Sequence, residues 1–432
     1  MNRRNQLIPA FFLLSVVAAY GQKSFSEQEV LSDYVSGEKV KTIQLYRQEW
    51  NLSYPFFKLD SEEKLLLNFD ILGNDSEDLY YRFIHCDKDW KRSDIFENDY
   101  TEGFAENPVE DYKPSFNTTV NYYHYKVIFP NDRVRLTISG NYIILVYPAG
   151  KPDEPVLARR FIVTENSAAV KINIHRPLMT ENNNSGQQVD FTVSQFGRNI
   201  SDPYRQIYAF ILQNGRWDNA KKNLKPEFYS NNELKYNTLS DKNIFQGGNE
   251  FRFFDIKSLR YQSEYVRSID FVPPGYNVFL FPSENREFKQ YFYNPDFNGK
   301  YYVAVQEGRN FDTDADYVSV FFTLPSKQKL AGGNMYESGA FNNWLFNNTN
   351  LMEYNSPAGQ YECTLLLKQG YYNYEYAFLK DGISDGTASF FEGNHYETEN
   401  DYMILIYYRN PQERYDRLIA IGMANSMNKP VN

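Results

Sequence analysis

Short runs of alternating apolar and polar residues, separated by turn chemistry, recur along most of the chain. Val134-Arg135-Leu136-Thr137-Ile138 places Val, Leu and Ile on one face of a strand, Ser139-Gly140-Asn141 turns, and an apolar run over 142–147 returns. In a first block, 39–165, the same reading predicts strands over 42–45, 64–69 and 80–86. A Pro- and Gly-rich loop over 148–155 follows the return, and a strand over 158–163 closes the block. A second block, 169–324, has candidate strands at 170–174, 189–193, 207–212, 251–256, 301–305 and 317–324, with a polar loop over 180–186. A third, 326–421, has strands at 361–367, 373–378 and 403–408, with turns at Gly332-Gly333 and Lys380-Asp381-Gly382. Its last apolar piece, 415–421, reads as a closing strand or as a short helix opened by Pro411. Strands at this spacing predict an all-β chain of three tandem immunoglobulin- or fibronectin-like sandwiches.

The first 21 residues have a different pattern. Arg3 and Arg4 precede an apolar run over 7–19, broken only by Pro9 and Ser15, and Ala19-Tyr20-Gly21 supplies small residues for cleavage. This is the order of a secretory signal peptide, and the run is shorter than the roughly 20 residues a membrane-spanning helix needs. No Cys follows it, so a lipoprotein is not expected. The runs at 142–147 and 403–408 are strand-sized. A transmembrane barrel is disfavoured because many strands look buried on both faces and the chain ends Lys429-Pro430-Val431-Asn432 instead of on an aromatic strand. The expected product is a soluble exported protein without direct lipid insertion.

Composition changes the picture in two ways. Tyr and Phe number 37 and 34, which suits pleated, half-buried surfaces. The net charge of −10 becomes −12 when Arg3 and Arg4 leave with the signal, a balance that excludes nucleic acid as a natural partner. Length alone predicts two to four domains. Cys86 and Cys363 are the only cysteines; they read as two separate buried thiols or as one long-range disulfide.

Catalytic patterns are missing: there is no Gly-x-Ser-x-Gly elbow, His-Glu-x-x-His helix or phosphate-cradling glycine loop. His85, His124, His175 and His395 are scattered, and His85 and Cys86, as strand neighbours, point to opposite faces. No catalytic, cofactor or metal residues are therefore assigned. Asp312-Thr313-Asp314-Ala315-Asp316 begins like a calcium loop, but Tyr317 and Thr323 stand where Gly and Glu are needed, so a solvated turn is expected. Gly247-Gly248-Asn249 precedes a strand and reads as a tight turn, with Glu250 and Arg252 on one face as an expected ion pair.

Six phrases, taken in order, resemble one family. They are His85-Cys86-Asp87-Lys88-Asp89-Trp90, Ser115-Phe116-Asn117-Thr118, Ser139-Gly140-Asn141-Tyr142, Gln213-Asn214-Gly215-Arg216-Trp217-Asp218, Gly248-Asn249-Glu250-Phe251-Arg252 and Glu392-Gly393-Asn394-His395-Tyr396-Glu397-Thr398. Together they resemble the plug proteins of the Bacteroidetes type IX secretion system. The resemblance implies a non-enzymatic periplasmic protein, without cofactors, that binds the outer-membrane β-barrel translocon and closes its pore from the periplasmic side. It carries no partner-binding residues over to this chain. Trp90 and Trp217 are expected as core aromatics. A fainter likeness, through Ala340-Phe341-Asn342-Asn343-Trp344, Met352, Gly370-Tyr371-Tyr372-Asn373-Tyr374-Glu375-Tyr376 and Asp381-Gly382, is to the early-set sandwich of glycogen-binding modules. It makes Trp344 a candidate sugar-stacking residue and a periplasmic or surface carbohydrate-binding protein the alternative reading.

Overall fold

The computed structural model describes residues 31–177, 183–198, 200–237, 241–383 and 386–431. The expected signal peptide lies outside the described residues. The fold is all-β, with helices of a single turn. No helix among the described residues is long and apolar enough to cross a membrane.

In the N-terminal region, Val40–Arg47, Leu65–Leu72, Tyr122–Phe129 and Asp111–Pro114 form one sheet. Phe56–Lys58, Leu157–Thr164, Gly140–Pro148, Leu79–Cys86 and Asn107–Pro108 form the sheet that faces it. Leu65, Leu67, Phe69, Phe83, Phe129 and Phe161 interlock between them. Gly140–Pro148 is buried on both faces because it serves two cores: Tyr142, Ile144 and Val146 face the sandwich, while Ile143, Leu145 and Tyr147 face outward into a second cluster with Trp90. A strand used in this way cannot show the half-polar alternation of Val134–Leu136.

Beyond residue 165 the strand pairing does not follow chain order. Ala169–His175, Gly186–Ser194, Glu233–Tyr236 and Phe228–Ser230 make a sheet joined by Ile244–Gln246. The sheet opposite runs Lys221–Leu224, Ile207–Gln213, Asp401–Arg409, Asp416–Asn425, so its last two strands come from the far end of the chain. Between the two halves, residues 252–380 build a nine-stranded sheet around Phe254, Val320, Phe322, Tyr372, Tyr374 and Tyr376. The strand at 403–408, expected in the third block, therefore pairs with Ile207–Gln213 of the second. Arg252–Asp255, Tyr301–Val303 and Tyr317–Pro325, expected in the second, pair within the sheet of the third. We assign three units on these cores: an N-terminal unit, an interrupted middle unit and an insert. Strand alternation is local and was readable. Partner choice depends on contacts up to two hundred residues away and was not. The ambiguous piece at 415–421 is strand from Asp416 onward, part of Asp416–Asn425.

Asp401–Arg409 is also double-sided. Tyr402, Ile404 and Ile406 enter the middle core, and Met403, Leu405 and Tyr407 pack outward with Phe210, Leu212 and Ile162 of the N-terminal unit. At about 1.5–3 kcal/mol for each large apolar side chain removed from water, these back-to-back layers hold the units against each other. Cys86 and Cys363 lie in different clusters.

Candidate functional site at the joints between units

Polar side chains concentrate where the units meet, and three joints can be built from them. The joint between the N-terminal unit and the insert centres on Asp70, fully buried on Leu65–Leu72. Its carboxylate accepts from Lys368 Nζ at 2.7 Å, His124 Nδ1 at 2.6 Å and the Tyr317 hydroxyl at 2.6 Å. Lys368 also donates to the Asp312 carbonyl at 2.7 Å and lies 4.1 Å from the Tyr122 ring centroid. Burial alone would raise the Asp70 carboxyl, but Lys368 and His124 hold it below its ordinary value. Beside it, Asp316 accepts from the backbone N–H groups of Thr119 and Val120, and the Phe116 N–H donates to the Thr313 carbonyl. The stretch 312–316 is thus a socket for the 115–120 loop. No group of residues suited to a metal ion occurs among the described residues.

In the joint between the N-terminal and middle units, Tyr407 donates to Asn141 Oδ1 at 2.6 Å, and Asn141 Nδ2 donates to the Asp87 carbonyl. The Lys88 N–H reaches Asp416, and the Leu418 N–H reaches Ser139 Oγ. Trp90 and Trp217 meet edge to face at 4.9 Å. His85 bridges Ser93 Oγ and the Ser139 carbonyl, and burial lowers it to about 4. Gly140 has φ +145°, and a Cβ there would strike the His85 ring.

The joint between the middle unit and the insert is a neck where the chain crosses twice, near 247–250 and near 392–398. The crossings are stapled to each other. The Gly248 N–H donates to Asn394 Oδ1, Asn249 Nδ2 to the Glu392 carbonyl and the His395 N–H to the Gly248 carbonyl. A Cβ on Gly247 would run into the His395 carbonyl. Glu392, nearly fully buried, accepts from Arg252 Nε at 2.9 Å, Arg286 Nε at 2.8 Å and the Tyr376 N–H at 3.0 Å. Burial pushes its carboxyl up, but the two guanidinium groups hold it below the ordinary value. The expected Glu250–Arg252 pair is not made: Arg252 turns to Glu392, and Glu250 accepts from the Tyr291 hydroxyl. The strand begins only at Arg252, so Glu250 lies before it, and Glu392, 140 residues on, sits against the guanidinium.

Farther along the same joint, Arg216 grips Asp218 in its own loop and donates to Glu375 of the insert at 3.0 Å. Its guanidinium lies 4.4 Å from the centroid of the Trp344 ring. Burial raises Glu375 to about 7 against the pull of Arg216. Trp344 is half-buried at φ +59°, with Arg216 over the ring and Phe251 at its edge, 5.7 Å between centroids. The candidate sugar-stacking residue is therefore already engaged by an arginine. Nearby, Lys300 Nζ lies 3.8 Å from the Tyr54 ring centroid, and its surroundings bring it down to about 8 by desolvation, with Asp401 opposing.

Every one of the six phrases singled out in the sequence falls on one of these joints. The sequence singled them out by their resemblance to one family but gave no sign that they meet in space.

Residues 40–165 match the model of the first domain of the type 9 secretion system plug protein. A crystal structure of a hypothetical protein from Parabacteroides merdae ATCC 43184 is 35% identical and covers 91% of this chain and 98% of its own, with a TM-score of 0.88. The chain belongs to the type IX secretion system plug protein family. Native alpha-2-macroglobulin from Escherichia coli, spanning domains NIE-MG1, is 8% identical over 49% of this chain and 99% of its own, at a TM-score of 0.17, too low to bear on the fold. No curated protein matches.

Proposed function

We propose that this protein is a non-enzymatic periplasmic plug that binds the outer-membrane translocon barrel of its secretion system and closes the pore on the periplasmic side when it is idle. The observation that carries the reading is the location of the family phrases: they build joints that lock three β units into one body, which is what a stopper requires. A folded chain of this length has a radius of gyration of about 22 Å, bulk enough to obstruct a protein-sized channel. Its net negative charge, −10 over the whole sequence and more negative without Arg3 and Arg4, keeps that body in water while it blocks. Reversible closure favours a polar, moderate interface. The carbohydrate-binding alternative loses support because Arg216 covers Trp344.

Solubilised outer membranes are the place to test this. A tagged chain expressed at native level should bring down a very large barrel, and a deletion strain that still makes the translocon should admit large hydrophilic dyes. Recovery of the tagged chain alone, with unchanged permeability in the deletion strain, would overturn the reading.

A further inference from the structure

Among the described residues, the joints leave one groove open. Three depressions share Arg160 as a wall: an open one of about 1160 Å³ beside Trp90, a small one of about 40 Å³ between Trp90 and Trp217, and a cleft of about 370 Å³ reaching Trp344. Three of the four tryptophans of the chain therefore line one surface. Arg160 stacks 4.6 Å from the Trp90 ring centroid. Around the open end stand Lys91, Arg92 and Arg414, all exposed, with exposed Phe96 beside them.

This cationic collar belongs to a chain of net charge −10, so it is a local reversal of sign. Of the acidic groups in the groove, Asp89 is engaged by Lys88 and Asp218 by Arg216, while exposed Asp94 stands in the same lining and offsets one of the four cations Lys91, Arg92, Arg160 and Arg414. Asp33 accepts from the Arg160 backbone N–H. One margin already carries extended chain: Val35 bridges to Leu157, the Ser36 N–H donates to the Val156 carbonyl and the Ala158 N–H to the Tyr34 carbonyl. A narrow trough with indole walls, fixed cations and an extended strand along its edge fits a second extended segment of opposite charge.

We propose that this groove seats an extended acidic segment of the partner that carries an aromatic residue, and that the plug is held by it. The proposal rests on the plug reading. Contact with the partly exposed Trp217 and with exposed Phe96 supplies the anchor, and the collar supplies steering and selection of sign.

The probe is a fluorescein-labelled peptide, Glu-Asp-Phe-Glu-Asp-Tyr-Glu-Asp, followed by fluorescence anisotropy with the full-length protein. Its counterparts carry Lys or Ser at each acidic position. The acidic peptide should saturate in the micromolar range and weaken about tenfold on going to about 0.5 M salt. The Lys91→Glu/Arg92→Glu/Arg414→Glu variant, altered only at exposed positions, should lose at least tenfold in affinity with an unchanged circular dichroism spectrum. Equal binding of the Lys or Ser peptide, or full binding by the variant, would overturn the proposal. Self-association that abolishes peptide binding would assign the groove to a second copy instead. Barrel recovery separates the two readings. A variant that retains the barrel refutes the groove and leaves the plug standing. Failure of the unaltered chain to recover the barrel refutes the plug, and the peptide assay then judges the groove alone.

Discussion

Against the N-terminal unit the insert is held by Asp70 and Lys368, whose side chains are 0% and 1% exposed. Against the middle unit it is held by Arg216 and Glu375, at 10% and 11%. Around the first pair His124 and Tyr317 also donate to Asp70 and the Asp312 carbonyl also accepts from Lys368, and Lys368 and His124 hold the Asp70 carboxyl below its ordinary value against the effect of burial. In the second, Glu375 sits near 7, so a proton can replace part of what Arg216 provides. The difference teaches how two ion pairs of similar length can do different work. The dry pair is costly to break, whereas the wetter pair loosens within the physiological range as Glu375 takes up a proton.

Removing one partner of the dry pair should break the comparison open. Lys368→Met leaves a buried carboxylate uncompensated and should cost about 3–5 kcal/mol in urea unfolding. Asp70→Asn added to it should restore at least half, and no recovery in the double variant would trace the loss to packing instead of charge.

The joint at His85 should fail next, and only in acid. Its folded value of about 4 lies below the ordinary 6.5, so its contribution is fully present above 6.5 and is lost as pH falls through 4. The shift amounts to about 3 kcal/mol, most of it gone by about pH 4.5. Chemical unfolding of His85→Gln at neutral pH and at about pH 4.5 should lose that component of the acid dependence, and an unaltered slope would assign it elsewhere.

The smallest effect is expected at the wetter pair. Arg216→Gln should cost about 1–2 kcal/mol above the Glu375 value and less below it, where a protonated Glu375 needs no cation. Melting curves at about pH 8 and about pH 6 measure the contrast, and equal losses would remove the charge of Glu375 from the account.

What the sequence yielded, and what it withheld, follows one physical line. Strands were legible where one face is wet, as at Val134–Leu136, because period-two alternation records a single buried side. The solvated turn expected at 312–316 is instead a single helical turn, Phe311–Asp314, running into buried Ala315 and Asp316, because the N-terminal loop 115–120 packs on it and Asp316 takes that loop's backbone N–H groups. Partners were not legible. Arg252 met Glu392 instead of Glu250, and Trp344 met Arg216, a residue 128 positions earlier. The phrases at the joints stood out as phrases, yet nothing local says that Asn141 and Tyr407 share a hydrogen bond.

The divided middle sheet also sets an order in time. Ile207–Gln213 takes Asp401–Arg409 as its neighbour, so the middle core cannot close until some two hundred further residues of the chain are in place. Phe210 and Ile211, fully buried in the finished protein, wait exposed until the last strands arrive. A chain interrupted before residue 401 would therefore lose a central layer, leaving an apolar sheet face uncovered where a clean truncation might have been expected.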